Sequence, residues 1–268
     1  MLAGIDYSRV KLNQQAAWSS GDYAVIGNTL PLMAELLCES LDVRSGWKVL
    51  DVAAGNGNAS LAAARRGCRV TSTDYVPAML EGGRKRALAE GLKIEFQDAD
   101  VEDLPFPDET FDAVLSCVGV QYTPNQERAA AEMLRVCRKG GKIGLANWTP
   151  GGFVGKLFKT VGKYVPLAAG VKPAYGWGTV YRLHELFRAA SRIEASRRDF
   201  VFRSHSTQRW LELLTMYYGP MLRAMASLEE TERVAVSTQL LELADAMNQA
   251  QDGTMVVPSE YLEVVITK

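Results

Sequence analysis

The sequence predicts an α/β fold built on a doubly wound, mostly parallel sheet, and three observations predict it. Between residues 45 and 148, short apolar runs alternate with alanine- and leucine-rich runs at a spacing that suits crossover connections. The strand-like runs are nearly all apolar, as expected of strands covered by helices on both faces. The first run, VLDVAAGNGN at residues 49–58, ends in a glycine turn that opens a helix. Together these describe a Rossmann-like sheet with its ligand site at the carboxyl ends of the strands.

Residues 47–52 make the first strand, and residues 58–66 a helix stopped by Gly67. Residues 69–73 are rich in β-branched side chains and end at Asp74, giving a second strand. Pro77 suits a first helical position, where its missing N–H has no partner to lose, and Gly91 suits the end of that helix. A third strand begins at residues 94–96, and residues 111–116 form a fourth. Thr123-Pro124-Asn125-Gln126 has the form of a capping box. It opens a helix expected to reach Gly140-Gly141, before a fifth strand at 142–148.

Beyond Pro150 the alternation stops. Residues 151–187 mix glycines and aromatics and read as an insert near the site. Residues 193–203 and 256–267 read as the last two strands, with a helical stretch at 206–250 between them. The expected organisation is an N-terminal helical arm or lid (1–44), a core (45–203, with the 151–187 insert), a helical cap (204–254) and a final strand (255–268).

Composition narrows the function. The chain has 268 residues, 47% of them hydrophobic and 23% charged, with a net charge of −1. This balance gives no electrostatic case for nucleic acid or an anionic membrane as partner. The four cysteines show no C-x-x-C spacing and the only histidines are His184 and His205, so no metal site is expected. No apolar run reaches membrane-spanning length, and the first residues lack a signal peptide's apolar core, which makes the cytoplasm the expected location. Nothing in the sequence speaks to oligomeric state.

The acids at the strand ends select the ligand. A dinucleotide turn wants G-x-G-x-x-G, whereas Gly55-x-Gly57-x-x-Ser60 lacks the last glycine. Asp51 is also a poor neighbour for a pyrophosphate. An NAD-type oxidoreductase stays open through Asp74, which stands where an acid binds a ribose diol. S-adenosylmethionine accounts for every acid. It has no phosphate, its sulfonium and ammonium are cations for Asp51, and its ribose suits Asp74. Its adenine suits Asp100 and the N–H of Val101. Gly55 and Gly57 let the backbone come close to its amino-acid portion.

VLDVAAGNGN, TSTDYVPAML, QDADVEDLPFPDETFDAVLSCVGVQYTPN and EMLRVCRKGGKIGLANW resemble, in order and spacing, the class I S-adenosylmethionine-dependent methyltransferases. The small-molecule branch that includes the ubiquinone and menaquinone enzymes is most similar, strongly so over residues 45–150. With AAWSSGDYAV, ANWTPGGFVGKLF and VVPSEYLEVV the whole chain is similar to an uncharacterised bacterial subgroup. The resemblance implies an antiparallel last strand and a cofactor site that includes Ala53, Gly55, Gly57, Asp74, Tyr75, Asp100 and Val101. It also places Ser116, Val118 and Gly119 beside the sulfonium, with Gln121 and Tyr122 one step toward the acceptor. Trp18 and Tyr23 then belong to a lid over the cofactor. Ala53 stands where many members have glycine.

The expected activity is methyl transfer to a small, apolar or aromatic acceptor, with a binding protein that has lost catalysis as a further alternative. The motifs of amino-methylating and cytosine-C5 DNA enzymes and of metal-dependent catechol enzymes are not present. A base is needed only if the acceptor must lose a proton, and the candidates are Tyr122, His184 and His205. Tyr122, Trp148, Phe153, Tyr217 and Tyr218 are candidates for lining the acceptor pocket.

Overall fold

The computed structural model describes residues 5–268, so the first four residues of the expected arm lie outside the described residues. Among the described residues seven strands form one sheet. They are β1 (Lys48–Val52), β2 (Arg69–Asp74), β3 (Ile94–Asp98), β4 (Phe111–Cys117), β5 (Cys137–Trp148), β6 (Arg192–Ser204) and β7 (Met255–Thr267). Their order is β3-β2-β1-β4-β5-β7-β6. The first five run parallel, and β7 runs antiparallel to both β5 and β6. The chain moves outward from β1 to β3 and then returns to start β4 on the other side of β1. The connections leaving β1 and β4 therefore diverge, and a crevice opens between them.

The helices are α1 (Tyr7–Trp18), α2 (Tyr23–Gly27), α3 (Pro31–Leu41), α4 (Asn58–Arg65), α5 (Pro77–Ala89), α6 (Gln126–Val136), α7 (Phe153–Val161), α8 (Val180–Leu186), α9 (Thr207–Tyr217), α10 (Gly219–Ala226) and α11 (Glu230–Met247). Val49 and Leu115 pack with Met33 and Leu37 of α3 and with Ala62 of α4. Their strand neighbours Leu50 and Val114 pack with Ala130 and Met133 of α6. Successive side chains point to opposite faces of a strand, and in β1 and β4 both faces are buried, so these central strands read as mostly apolar runs. Leu157 of α7, Leu211 and Leu214 of α9, Met221 of α10 and Leu240 of α11 form a separate apolar cluster that holds the cap together.

Three expectations change. Residues 5–44 are not one arm, because α3 belongs to the sheet's covering layer while α1 buries no residue at all. The fourth strand's crossover helix, α6, is capped by Asn125, whose side chain accepts from the Arg128 N–H at 3.1 Å, rather than by Thr123. That helix ends at Val136, not at the glycine pair. Cys137 already pairs with Phe111, and the register then shifts so that Lys142 faces Ala113. Gly140, at φ +67°, gives the chain that irregularity and donates its N–H to the Lys268 carbonyl.

The crevice is narrow where the two loops meet. Ala53 and Val118 both adopt positive φ, +48° and +59°, a conformation that costs a β-branched residue like Val118 most. A Cβ on Gly119 would lie 2.1 Å from the Ala53 carbonyl oxygen. Gly119→Ala should therefore destabilise the fold by roughly 1–3 kcal/mol, measured by denaturant unfolding. Because the obstacle is a backbone oxygen, adding Ala53→Gly should not restore stability. Full recovery in the double variant would show that the Ala53 methyl is the real contact.

Candidate active site

A cleft of about 800 Å³, counting space open to solvent, lies at the carboxyl ends of β1 to β4. Asp51, Ala53, Gly55, Asp74, Tyr75, Asp100, Val101, Val118 and Gly119 all line it, as does Cys117 at the end of β4. Trp18 and Tyr23 line it as well.

Asp51 is 1% exposed. Its Oδ2 accepts the Ser60 N–H at 2.7 Å and the Ser60 hydroxyl at 2.6 Å, while Oδ1 is buried with no partner. Burial pushes the carboxyl up to about 7, the Ser60 bonds oppose this, and the Asp74 charge adds to it. Ser60 is thus the partner that holds Asp51, at the position where a dinucleotide turn has its last glycine. A cation is the natural complement of the open oxygen, since a buried carboxylate is costly unless paired.

Asp74, at the end of β2, is held by main-chain donors. Gly55 N–H reaches Oδ2 and Val76 N–H reaches Oδ1, both at 2.9 Å. Burial raises this carboxyl to about 6 against the pull of those bonds. Each oxygen keeps a second lone pair, so the group is fixed and can still accept from a diol. The φ of Gly55, +56°, turns its N–H toward Asp74, and an added Cβ there would meet the Tyr23 ring at 3.3 Å.

Asp100 is engaged by a residue that sequence reasoning missed. Lys11 Nζ lies 2.6 Å from Asp100 Oδ2 and 2.5 Å from Glu102 Oε2, while Asp100 Oδ1 accepts the Glu102 N–H. Burial lowers the Lys11 ammonium, but its bonds to the two acids outweigh this and raise it. Two further residues of α1 are tied the same way. Gln14 Nε2 donates to the Tyr122 carbonyl and Gln15 Nε2 to the Tyr75 carbonyl, both at 2.9 Å. α1 is a polar strap across the cleft mouth.

Several expected residues stand elsewhere. Gly57, at φ +80°, leads into α4 behind the cleft wall, facing Ser60 and Gly83. Ser116 is sealed between loops, donating to the Val52 carbonyl and accepting the Val120 N–H at 2.9 Å each. Gln121 is buried and accepts the Trp148 N–H. Trp148 packs against Phe200, Phe202 and Tyr261, and Phe153 against Phe202 and Trp210, so both are core. His184 and His205 are exposed and line neither this cleft nor the groove described next, which removes them as bases. Tyr217 also lines neither; its carbonyl accepts the Asp22 N–H.

The second cavity is an apolar groove of about 1280 Å³, again counting space open to solvent. Leu157, Phe158 and Val161 of α7, Leu167 in the insert, and Met221 and Ala224 of α10 supply its walls. Trp18 and Tyr122 line both groove and cleft. The Trp18 indole meets Tyr122, Tyr218 and Tyr23 edge-on, with ring centres 4.9, 5.4 and 5.7 Å apart. The Tyr218 hydroxyl donates to that of Tyr122 at 3.3 Å. Burial pushes the Tyr122 phenol up to about 12, opposed by the Tyr218 bond, so it is no base near neutral pH.

A family model described as a methyltransferase domain matches residues 50–145. The uncharacterized protein Rv1403c of Mycobacterium tuberculosis is 41% identical over 244 residues, covering 89% of this chain and 88% of that protein. The demethylmenaquinone methyltransferase of Clavibacter sepedonicus is 42% identical over 99 residues, covering 37% of this chain and 40% of that enzyme. Among solved structures, the YcgJ protein of Bacillus subtilis superposes with a TM-score of 0.61 at 17% identity, over 88% of this chain and 98% of its own. An N-methyltransferase of Haemonchus contortus, in complex with phosphomonomethylethanolamine and S-adenosylhomocysteine, superposes with a TM-score of 0.56 at 16% identity, over 88% and 52%. Nothing among these findings favours an oxidoreductase. The chain belongs to the class I S-adenosylmethionine-dependent methyltransferases, and S-adenosylmethionine is its cofactor.

Proposed function

We propose that this protein methylates a small, apolar or aromatic molecule bound in the groove. The observation that carries the reading is that the acid-lined cleft and the apolar groove share one wall, Trp18 and Tyr122. Cofactor and acceptor held on its two sides are neighbours. In the cleft, Asp51 Oδ1 is the acceptor for the cofactor's ammonium and Asp74 for its ribose hydroxyls. Asp100 and Val101 take the adenine. When bound, the cofactor supplies an electrophilic methyl group, whose bond to sulfur breaks with the electron pair staying on sulfur. The protein's share is alignment and exclusion of water by Trp18, Tyr23 and α1. Orientation of this kind is worth roughly 7–11 kcal/mol in favourable cases.

Asp74→Ala removes the acceptor for two hydroxyls and should weaken S-adenosylhomocysteine binding by roughly 1.5–3 kcal/mol, read by calorimetric titration. Affinity within twofold of the original would move the ribose elsewhere.

Asp51 makes the binding pH-dependent. Its carboxyl titrates near 7 in the free protein, and a bound cation favours the ionised form. Cofactor binding at pH 6 should therefore expel a proton, and at pH 8.5 essentially none. Affinity should fall as pH drops through 7. Titrations in buffers of different ionisation enthalpy measure the proton count, and an equal count at both pH values would show that Asp51 does not meet the cation.

A charge in the groove should harm only the acceptor. Val161→Glu should cut kcat/KM for apolar acceptors at least about tenfold, the scale of burying an unpaired carboxylate against them. Affinity for S-adenosylhomocysteine should stay unchanged. A tritiated-methyl assay over a metabolite extract supplies the acceptors, and unchanged turnover of all of them would place acceptor binding outside the groove.

A further inference from the structure

The groove wall is apolar except for a few side chains, and their partners differ. Gln14 has both ends of its amide engaged, donating to the Tyr122 carbonyl and accepting the Tyr75 hydroxyl at 3.3 Å. Tyr175 lies at the rim beside the exposed Lys159, whose Nζ is 5.4 Å from its ring centre. The phenols of Tyr122 and Tyr218 are placed differently. They sit where the groove meets the cleft, and Tyr122 borders both. Tyr218 gives its proton to the Tyr122 oxygen, which leaves the Tyr122 proton for another acceptor.

We propose that Tyr218 and Tyr122 form a directed donor chain that seats an oxygen of the methyl acceptor beside the cofactor cleft. This rests on the groove being the acceptor site. A hydroxyl that itself receives a hydrogen bond is a stronger donor, so Tyr218 is a positioning residue that sharpens Tyr122. A donor aimed at the acceptor's oxygen favours its anion over its neutral form.

The chemical class of the acceptor follows. No carboxylate or histidine lines the groove among the described residues. Burial holds both phenols in their protonated form. The wall can thus give a hydrogen bond and does not remove a proton. The acceptor is an apolar molecule with an acidic hydroxyl, such as an enol or phenol, that ionises to solvent before transfer. Its anion then supplies the electron pair for the new bond to the methyl carbon. A molecule whose only nucleophile is an ordinary alcohol is a poor acceptor here, because nothing in the groove can ionise it.

The probe is 4-nitro-1-naphthol, an apolar phenol whose anion absorbs in the visible. It is titrated against the protein saturated with S-adenosylhomocysteine, so no transfer takes place. The probe should bind to the native protein and to Tyr122→Phe, and be lost from Val161→Glu, which locates it in the groove. Its pKa when bound should be at least about one unit (tenfold) lower in the native protein than in Tyr122→Phe, with Tyr218→Phe in between. Phenylalanine keeps both rings, so each variant should still fold and still take S-adenosylhomocysteine. Equal bound pKa values in the native and Tyr122→Phe proteins would overturn the donor chain alone. Failure of the probe to bind any variant that still takes S-adenosylhomocysteine would overturn the groove reading and the donor chain with it.

Discussion

A carboxyl group buried at the end of the central strand, with only one oxygen satisfied, sets the terms for the site around it. Asp51 sits where the sheet's connections diverge, so its environment is set by the loops after β1 and β4 and by the first turn of α4. Ser60 binds one oxygen and Ser72 in turn binds Ser60 at 2.8 Å. That chain of hydroxyls fixes the carboxyl without neutralising it. Leaving the other oxygen unpaired is expensive in the free protein, and the expense is recovered only when a cation arrives. The same physics that makes Asp51 unfavourable beside a pyrophosphate makes it a good partner for an ammonium.

The two cavities divide the chemistry by polarity. Acids and main-chain donors surround the cleft, while leucine, valine, proline and aromatic side chains surround the groove. The boundary is made of rings, with Trp18 packed edge-on against Tyr23, Tyr122 and Tyr218. Such rings are apolar on one side and offer a hydroxyl or N–H at their tips, which suits a wall between unlike compartments. α1 reaches that wall without a fully buried residue, held by the polar contacts of Lys11, Gln14 and Gln15 and by the packing of Trp18 at its end.

The sheet and the cleft were legible in the sequence because each leaves a local trace. Strands buried on both faces read as apolar runs, and the acids Asp51, Asp74 and Asp100 end three consecutive strands or follow them closely. What the sequence hid was orientation and long-range pairing. Ser116 and Gln121 stand next to the cleft in the chain, yet their side chains turn into hydrogen bonds with neighbouring backbone. Tyr217 and Tyr218 are adjacent residues at the end of one helix, and only the second reaches the groove. Trp148 and Phe153 have the composition of pocket residues because core and pocket draw on the same side chains. Lys11 left no signal, since its partners lie about ninety residues away and no periodicity joins them. Gly140-Gly141 misled for the opposite reason, because a glycine pair serves a strand irregularity as readily as a helix end.

A crystal structure of the protein with S-adenosylhomocysteine tests the central claim most directly. The account predicts the ligand's amino group on Asp51 Oδ1, its ribose on Asp74, and its sulfur facing the wall formed by Trp18 and Tyr122. An amino group placed away from Asp51, or a sulfur turned from that wall, would contradict it.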